Sequence, residues 1–215
     1  MANIKDIAYV RFCVADLQAQ KQFLDDFGFQ TKIENGLLSA RGTDCSPYIY
    51  LAEESSEPAF VSVGFTAESE AALREIAAID GAPVESNPLE GGGVITRLTD
   101  PNGFAVDVIA GGSNARSLNI AGRSDFNRGD DKQRLGQRVA FEAPECLIKR
   151  LGHVVLMVND FNETFEWYKR RLGLMISDEI VMDKDGKEQT LGAFTRCNRG
   201  TEFVDHHTVF FINAG

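Results

Sequence analysis

Three histidines are the residues of this chain best suited to chemistry, and the 215-residue sequence contains no others. His153 lies within the apolar run LGHVVLMV, and the adjacent His206 and His207 precede the apolar run TVFF. Imidazole titrates near neutral pH and is a common metal ligand, so these positions indicate a metal site or an acid–base site. The alternative for each histidine is the ordinary one, a hydrogen-bonded residue of an apolar strand.

The elements that must position these histidines form a βαβββ unit. Residues 151–158 are predicted to be a strand, and Asp160 with Glu163 is typical of a helix start. Apolar residues then follow at helical spacing, ending at Gly173: Phe161, Phe165, Tyr168 and Leu172. Strands are predicted over residues 174–182, 192–197 and 207–212. This order places His153 on the first strand and His207 on the last.

The same pattern occurs twice in the N-terminal half. The first copy combines a helix at residues 16–27 with strands at 7–14, 30–33, 37–41 and 48–51. The second combines a helix at residues 69–79 with strands at 60–65, 94–98 and 104–109. A shift of 144 residues superposes Tyr9 on His153 and Asp16 on Asp160. Such internal repetition indicates similar packed modules. We predict a domain of two units over residues 1–112, a linker over 113–146 and a single unit over 147–215.

Composition narrows the function. The formal net charge of −10 disfavours nucleic acid, whose phosphates require basic surfaces. The sequence shows no leader and no apolar run long enough for a membrane helix, so we expect no membrane partner and a cytoplasmic location. The four cysteines are far apart and none forms a C-x-x-C pair, which is typical of a reducing compartment.

Four local motifs carry a resemblance to a known family: L-G-H-V-V-L at residues 151–156, W-Y-x-x-x-L-G-L at 167–174, D-P-N-G-F at 100–104 and D-H-H-T-V-F-F at 205–211. With the repeated βαβββ units, the chain resembles the vicinal oxygen chelate superfamily, which includes glyoxalase I, bleomycin-resistance proteins and type I extradiol dioxygenases. The resemblance implies an α+β fold, and it is closest to the extradiol dioxygenases, which cleave catechol rings with dioxygen.

The resemblance also implies roles for individual residues. His153 matches the first iron ligand, and His207 matches the acid–base histidine of the second sphere. His206 is its neighbour and is expected on the opposite strand face, although an alignment slip of one residue would exchange the two. The first domain is expected to hold no metal, because Tyr9 replaces the ligand and no histidine lies near Ser62.

The expected cofactor is Fe(II), with Mn(II) as a possible substitute. In the family the second histidine and the glutamate of the ligand set lie on a fourth unit, which this sequence does not include. We therefore expect a catecholic diol and dioxygen as substrates of the complete protein, with the 215-residue form inactive or incomplete.

We also expect a homo-oligomer, because the third unit lacks a partner over an apolar face to which Val154, Leu156, Val209 and Phe211 would contribute, depending on which side of the strands stays open. Two alternatives remain open at this stage, a glyoxalase-type isomerase and a non-catalytic small-molecule-binding module, so the sequence does not decide whether this form is an enzyme.

Overall fold

The computed structural model describes residues 3–118, 127, 129–132, 136, 148–184 and 186–214. Within them, two β-sheets and three α-helices form a mixed α+β fold, as the sequence predicted. None of the helices in this described part combines the length and the apolar content needed to cross a bilayer.

The first unit follows the predicted βαβββ order. Its elements are β1 (Ile4–Val14), α1 (Leu17–Phe27), β2 (Gln30–Glu34), β3 (Leu37–Arg41) and β4 (Tyr50–Glu54).

The second unit repeats this order. Its elements are β5 (Ala59–Ala67), α2 (Glu70–Asp80), β6 (Glu85–Ser86), β7 (Val94–Thr99) and β8 (Ala105–Ala110). The two-residue strand β6 was not predicted, because two polar residues give no hydrophobic alternation.

The third unit carries the histidines. Its elements are β9 (Val154–Val158), α3 (Phe161–Leu172), β10 (Leu174–Lys184), β11 (Lys187–Cys197) and β12 (Val209–Asn213). The last strand begins two residues later than predicted, so His206 and His207 lie before it rather than within it.

Local signals set the helix boundaries. A side-chain oxygen of the residue before each helix accepts hydrogen bonds from the first turn, and a glycine with positive φ follows each helix. The N-caps are Asp16, Ser69 and Asp160, and the C-caps are Gly28, Gly81 and Gly173. The sequence analysis placed the start of α3 at Asp160 and its end at Gly173, and the helices predicted at 16–27 and 69–79 begin and end within one residue of α1 and α2.

The sheets show how the units combine. Units one and two share an eight-stranded sheet with the order β2-β3-β4-β1-β5-β8-β7-β6. The units meet at the antiparallel pair of β1 and β5. The third unit forms a four-stranded sheet, β10-β11-β12-β9, which has the same order as the first half of the larger sheet. Strand β9 therefore occupies the place of β1, but at the edge of its sheet.

One apolar core joins the two sheets. It contains Phe65 and Leu73 from the second unit together with Phe161, Tyr168 and Phe211 from the third. Helix α3 packs against α2, and the turn between β7 and β8 contacts α3 through its Asn102 side chain, whose Nδ2 donates to Thr164 Oγ1 over 2.9 Å. The third unit is thus held against the second.

This packing corrects the expected uncovered face. Leu156, Val209 and Phe211 are buried in the shared core, and Val154 is half-buried. The apolar side chains that face solvent on β9 are instead Val155 and Met157, which are 48% and 63% exposed. The sequence identified the strand and left its open side undecided; packing against the second unit leaves the side of Val155 and Met157 exposed.

Both ends of the predicted linker lie at the loop between β3 and β4. Leu118 N donates to Thr43 O over 2.8 Å, and Thr43 N donates to Ile148 O over 2.9 Å. The linker residues from 119 to 146, apart from 127, 129–132 and 136, lie outside the described residues, as does Leu147. The proposed domain boundaries therefore remain a prediction.

Candidate functional site

The three histidines come together on one face of the four-stranded sheet of the third unit. The ring centroids of His153 and His207 are 4.3 Å apart, and Nδ1 of His206 lies 3.1 Å from Nδ1 of His207. More than fifty residues separate His153 from the pair in the sequence. Their contact arises because β12 pairs in parallel with β9, with Val209 in register with Val154.

Strand alternation predicted that His206 points to the face opposite His207. This prediction is wrong. Because the pair precedes β12, the alternation of strand side chains does not apply to it. Both rings instead lie on the open face, where Phe194 contacts both of them, with centroid distances of 5.6 Å to His206 and 5.0 Å to His207.

An acidic residue that the sequence analysis missed anchors this cluster. Asp178 on β10 lies with Oδ2 2.5 Å from Nε2 of His206, and Ser177 Oγ donates to the His206 carbonyl over 2.6 Å. With both rings neutral, His206 Nε2–H donates to the carboxylate, so its Nδ1 accepts from His207 Nδ1–H. The unprotonated nitrogen of His207 is then Nε2, a base available to the open face.

The surroundings favour this neutral form of His207. Burial is the first cause that lowers the pKa of its imidazole below the usual range, and the nearby His153 and His206 lower it further. A neutral histidine at neutral pH can accept a proton, which is what acid–base catalysis requires.

Two stacked phenylalanine rings lie beside the histidines. Phe194 on β11 and Phe210 on β12 stack with centroids 4.2 Å apart and planes inclined by 12°. With Val155 and Met157 on β9, they make this face apolar beside a polar cluster. Such a surface is suited to a flat aromatic molecule that carries hydroxyl groups at one edge.

The first domain uses the equivalent positions differently. Tyr9 on β1 and Ser62 on β5 both donate to Oδ2 of Asp107 on β8, each over 2.7 Å. All three side chains are buried. Burial, and next the Asp107 carboxylate, raise the pKa of the Tyr9 phenol, so it stays a proton donor. The sequence analysis named Tyr9 and Ser62 as positions without a metal ligand, but it did not identify Asp107 as the residue that both side chains contact.

The register of the strands shows what the third unit lacks. In the second unit, Asp107 on β8 is in register with Gly64 on β5. In the third unit, Phe210 on β12 takes the corresponding position, in register with Val155 on β9. The third unit therefore offers imidazoles without the carboxylate of the first domain. Among the described residues, no group of three histidine, cysteine, aspartate or glutamate side chains is arranged to hold a metal ion.

Comparisons with known proteins agree with this architecture. Residues 150–209 match the Glyoxalase/Bleomycin resistance protein/Dioxygenase superfamily. Metapyrocatechase 2 of Cupriavidus necator is 26% identical over 203 residues, which cover 94% of this chain and 59% of that protein. The chain thus spans less than two thirds of this curated relative.

Solved structures share the fold. A Mn(II)-bound glyoxalase from Novosphingobium aromaticivorans matches all of this chain and 63% of its own, with a TM-score of 0.73 at 18% identity. An extradiol ring-cleaving dioxygenase from B. fuscum matches 99% of this chain and 54% of its own, with a TM-score of 0.73 at 17% identity. The superfamily resemblance and the α+β fold predicted from the sequence are confirmed.

Proposed function

For a chain with the fold of this superfamily, we propose that the third unit supplies the metal-binding and proton-moving histidines of an extradiol-type dioxygenase acting on catecholic diols. The observation that carries the proposal is the convergence of all three histidines on one open face, beside the stacked Phe194 and Phe210. Fe(II) is the proposed metal and Mn(II) a substitute. The similarity to a metapyrocatechase and to a ring-cleaving dioxygenase supports this choice of chemistry.

We assign the roles from the family resemblance and from the contacts among the three histidines. His153 would hold the metal, and the remaining ligands would come from outside the described residues. When bound, a divalent metal lowers the pKa of coordinated catechol hydroxyls and provides a place for dioxygen. His207 accepts the hydroxyl proton at Nε2. His206 and Asp178 keep that nitrogen unprotonated before the reaction, and Phe194 packs against the ring.

Metal analysis and turnover together test the proposal, using the 215-residue chain and a form extended by a fourth unit. We expect little ring cleavage by the short chain and a yellow ring-opened product from the extended one. In the extended form, His153→Ala should abolish iron binding. His207→Phe should retain iron and slow turnover by roughly 10² to 10⁴, the usual contribution of a positioned acid–base group. Loss of iron from His207→Phe would show that His207 is a ligand.

Binding of the aromatic ring can be tested on the short chain. Titration with catechol should perturb the NMR signals of Phe194 and His207, and Phe194→Ala should weaken the interaction. Phe203→Ala is the matched control, since that side chain is fully exposed. Equal weakening by both variants would contradict the assignment of the Phe194 face.

A glyoxalase-type isomerase is the second candidate, because the structural match to a Mn(II)-bound glyoxalase has the same TM-score. Dioxygen uptake separates the two, since ring cleavage consumes one dioxygen per catechol and isomerisation consumes none. An extended form that binds metal but never consumes dioxygen with any catechol would favour the isomerase.

A further inference from the structure

The segments that carry the three histidines lie just outside the strands of the third unit. Strand β9 begins at Val154, after His153, and β12 begins at Val209, after His206 and His207. Ladder hydrogen bonds fix the backbone inside a strand, but they do not fix the residues that precede it. The arrangement of the histidines therefore depends on further contacts made by these two segments.

Arg150 joins the two segments to each other and to the first unit. It lies shortly before His153, and its Nη2 donates over 2.5 Å to Oδ2 of Asp205, which directly precedes His206. Nη1 of the same guanidinium forms an ion pair with Oδ2 of Asp6 on β1, at a distance of 3.6 Å. A guanidinium presents its donors in a rigid plane, so it holds two carboxylates in a fixed arrangement.

The first unit also positions the backbone from which Arg150 projects. Asp44 N, in the loop between β3 and β4, donates to Lys149 O over 3.1 Å. At Gly42 in the same loop, an added Cβ would lie 2.3 Å from Lys149 O, so the two backbones approach as closely as only glycine allows. The loop of the first unit thus determines where the Arg150 side chain begins.

Arg199 forms a second connection, between the end of β11 and the histidine pair. Its Nη1 donates to Oε1 of Glu68 over 2.7 Å, and its Nε and Nη2 both donate to Oε2 of Glu202. Glu202 N donates to Arg199 O over 3.1 Å, which closes the turn. Glu68 follows β5, and its N donates to Asn3 O. The Arg199 side chain is only 17% exposed, so this connection is largely shielded from water.

We propose that Arg150 and Arg199 are positioning residues through which the first two units set the arrangement of the three histidines. Each arginine joins a histidine-bearing segment to an acidic residue of those units. The shared apolar core already holds the units together, and partly exposed ion pairs contribute little to stability. Their effect is therefore expected on the local conformation of the two segments. This role deepens the proposed function, but it is measured without metal or catechol.

NMR of the metal-free 215-residue chain with isotope-labelled histidine is the first test, because three histidines give three ring systems. The ring centroids of His153 and His207 are 4.3 Å apart, so we expect a nuclear Overhauser effect between their ring protons. Arg150→Gln should lose most of this signal. Arg170→Gln is the matched control on α3, where the side chain is 74% exposed, and should retain it.

A conservative replacement and a double variant test whether Arg150 acts through Asp205. Asp205→Asn removes the carboxylate charge and should weaken the signal, whereas Asp205→Glu keeps a carboxylate and should retain more of it. The double variant Arg150→Gln/Asp205→Asn should resemble the more affected single variant, because both changes remove the same bridge. Losses that simply add would contradict the bridge.

Glu68→Gln tests the second connection from a residue distant from the histidines in the sequence. It removes the carboxylate that faces Arg199 and should shift the ring signals of His206 and His207. Glu57→Gln makes the same change at an exposed position between β4 and β5 and should leave them in place. This pair of variants carries the test if Arg150→Gln fails to fold.

Urea denaturation separates positioning from stability, and the unfolding midpoint of Arg150→Gln should stay close to that of the wild type. The proposal is overturned by a wild-type chain without the signal between the two rings, by full retention of that signal in Arg150→Gln, or by equal shifts in Glu68→Gln and Glu57→Gln. If the variants behave as expected but the extended form never cleaves a catechol, the proposed function fails and the positioning role stands. An active extended form whose Arg150→Gln variant keeps the signal refutes the positioning role alone.

Discussion

Asn102 is the residue whose replacement best tests whether the two sheets fold as one body. It lies in the turn between β7 and β8, and its side chain makes two hydrogen bonds to the third unit. Nδ2 donates to Thr164 Oγ1, and Oδ1 accepts from Asn159 N, both over 2.9 Å. Asn102→Ala removes both bonds without changing the backbone of the turn.

The magnitude follows from these contacts. Two hydrogen bonds contribute about 1 kcal/mol each, and an orphaned buried hydroxyl costs about 1 kcal/mol more. Thr164 is 1% exposed, so water does not replace the lost donor. We expect the free energy of unfolding to fall by roughly 3 kcal/mol. Asn162→Ala on the exposed side of α3 is the matched control and should change it little.

Urea denaturation provides the assay with two probes. Trp167, the one tryptophan of the chain, reports the third unit by fluorescence, and circular dichroism reports all units. The two transitions should coincide and shift together in Asn102→Ala, because the shared core makes unfolding cooperative. A loss below about 0.5 kcal/mol, within the range of ordinary surface substitutions, or separate transitions in the wild type, would refute this reasoning.

Four further predictions concern single side chains. His153→Gln should raise the pKa of His207, measured by NMR, because His153 lowers it now; an unchanged pKa would contradict this coupling. The folded-state pKa of His207 is lowered, so this residue stabilises the fold above the usual histidine pKa, and the stabilisation is lost as pH falls through the lowered pKa. His207→Phe should remove that part of the pH dependence of the urea unfolding free energy. A pH profile identical to that of the wild type would argue against this coupling. Asp178→Ala should shift the tautomer of His207 in ¹⁵N spectra, whereas Glu179→Ala, exposed on the same strand, should not; identical spectra for both would exclude the proposed hydrogen-bond chain. Gly64→Ala should destabilise the fold by about 1 to 3 kcal/mol, since its Cβ would lie 2.3 Å from the Tyr9 ring, while Gly152→Ala meets no atom within 4 Å; equal melting temperatures would show that Tyr9 has room to move.

The sequence predicted the elements of the fold better than the details of the site. Helix ends followed from signals such as Asp16 and Asp160 at the starts of α1 and α3 and the glycines after each helix, because these signals are local. The repeat located the equivalent strands. The side of β9 that remains open could not be predicted, since Leu156 and Met157 are both apolar and only packing against the second unit distinguishes them.

The sequence predicted which residue types form the site, but it did not predict the contacts between them. All three histidines were selected, and they lie together. Their anchor, Asp178, was not selected, because nothing in the sequence of β10 separates it from the nearby Glu179 or Asp183. Strand alternation placed His206 wrongly, because the strand begins after the pair. Distances across a sheet depend on register, which the sequence alone does not supply.

The hydroxyl pair on Asp107 has a consequence for how such repeated units diverge after duplication. Two donors share one acceptor oxygen, so replacing either Tyr9 or Ser62 leaves the carboxylate with the other donor. A buried carboxylate stripped of every donor is costly, whereas one that keeps a donor is tolerated more readily. An exchange of hydroxyls for imidazoles at these two positions, in either direction, can therefore proceed through single replacements, each of which retains a folded protein.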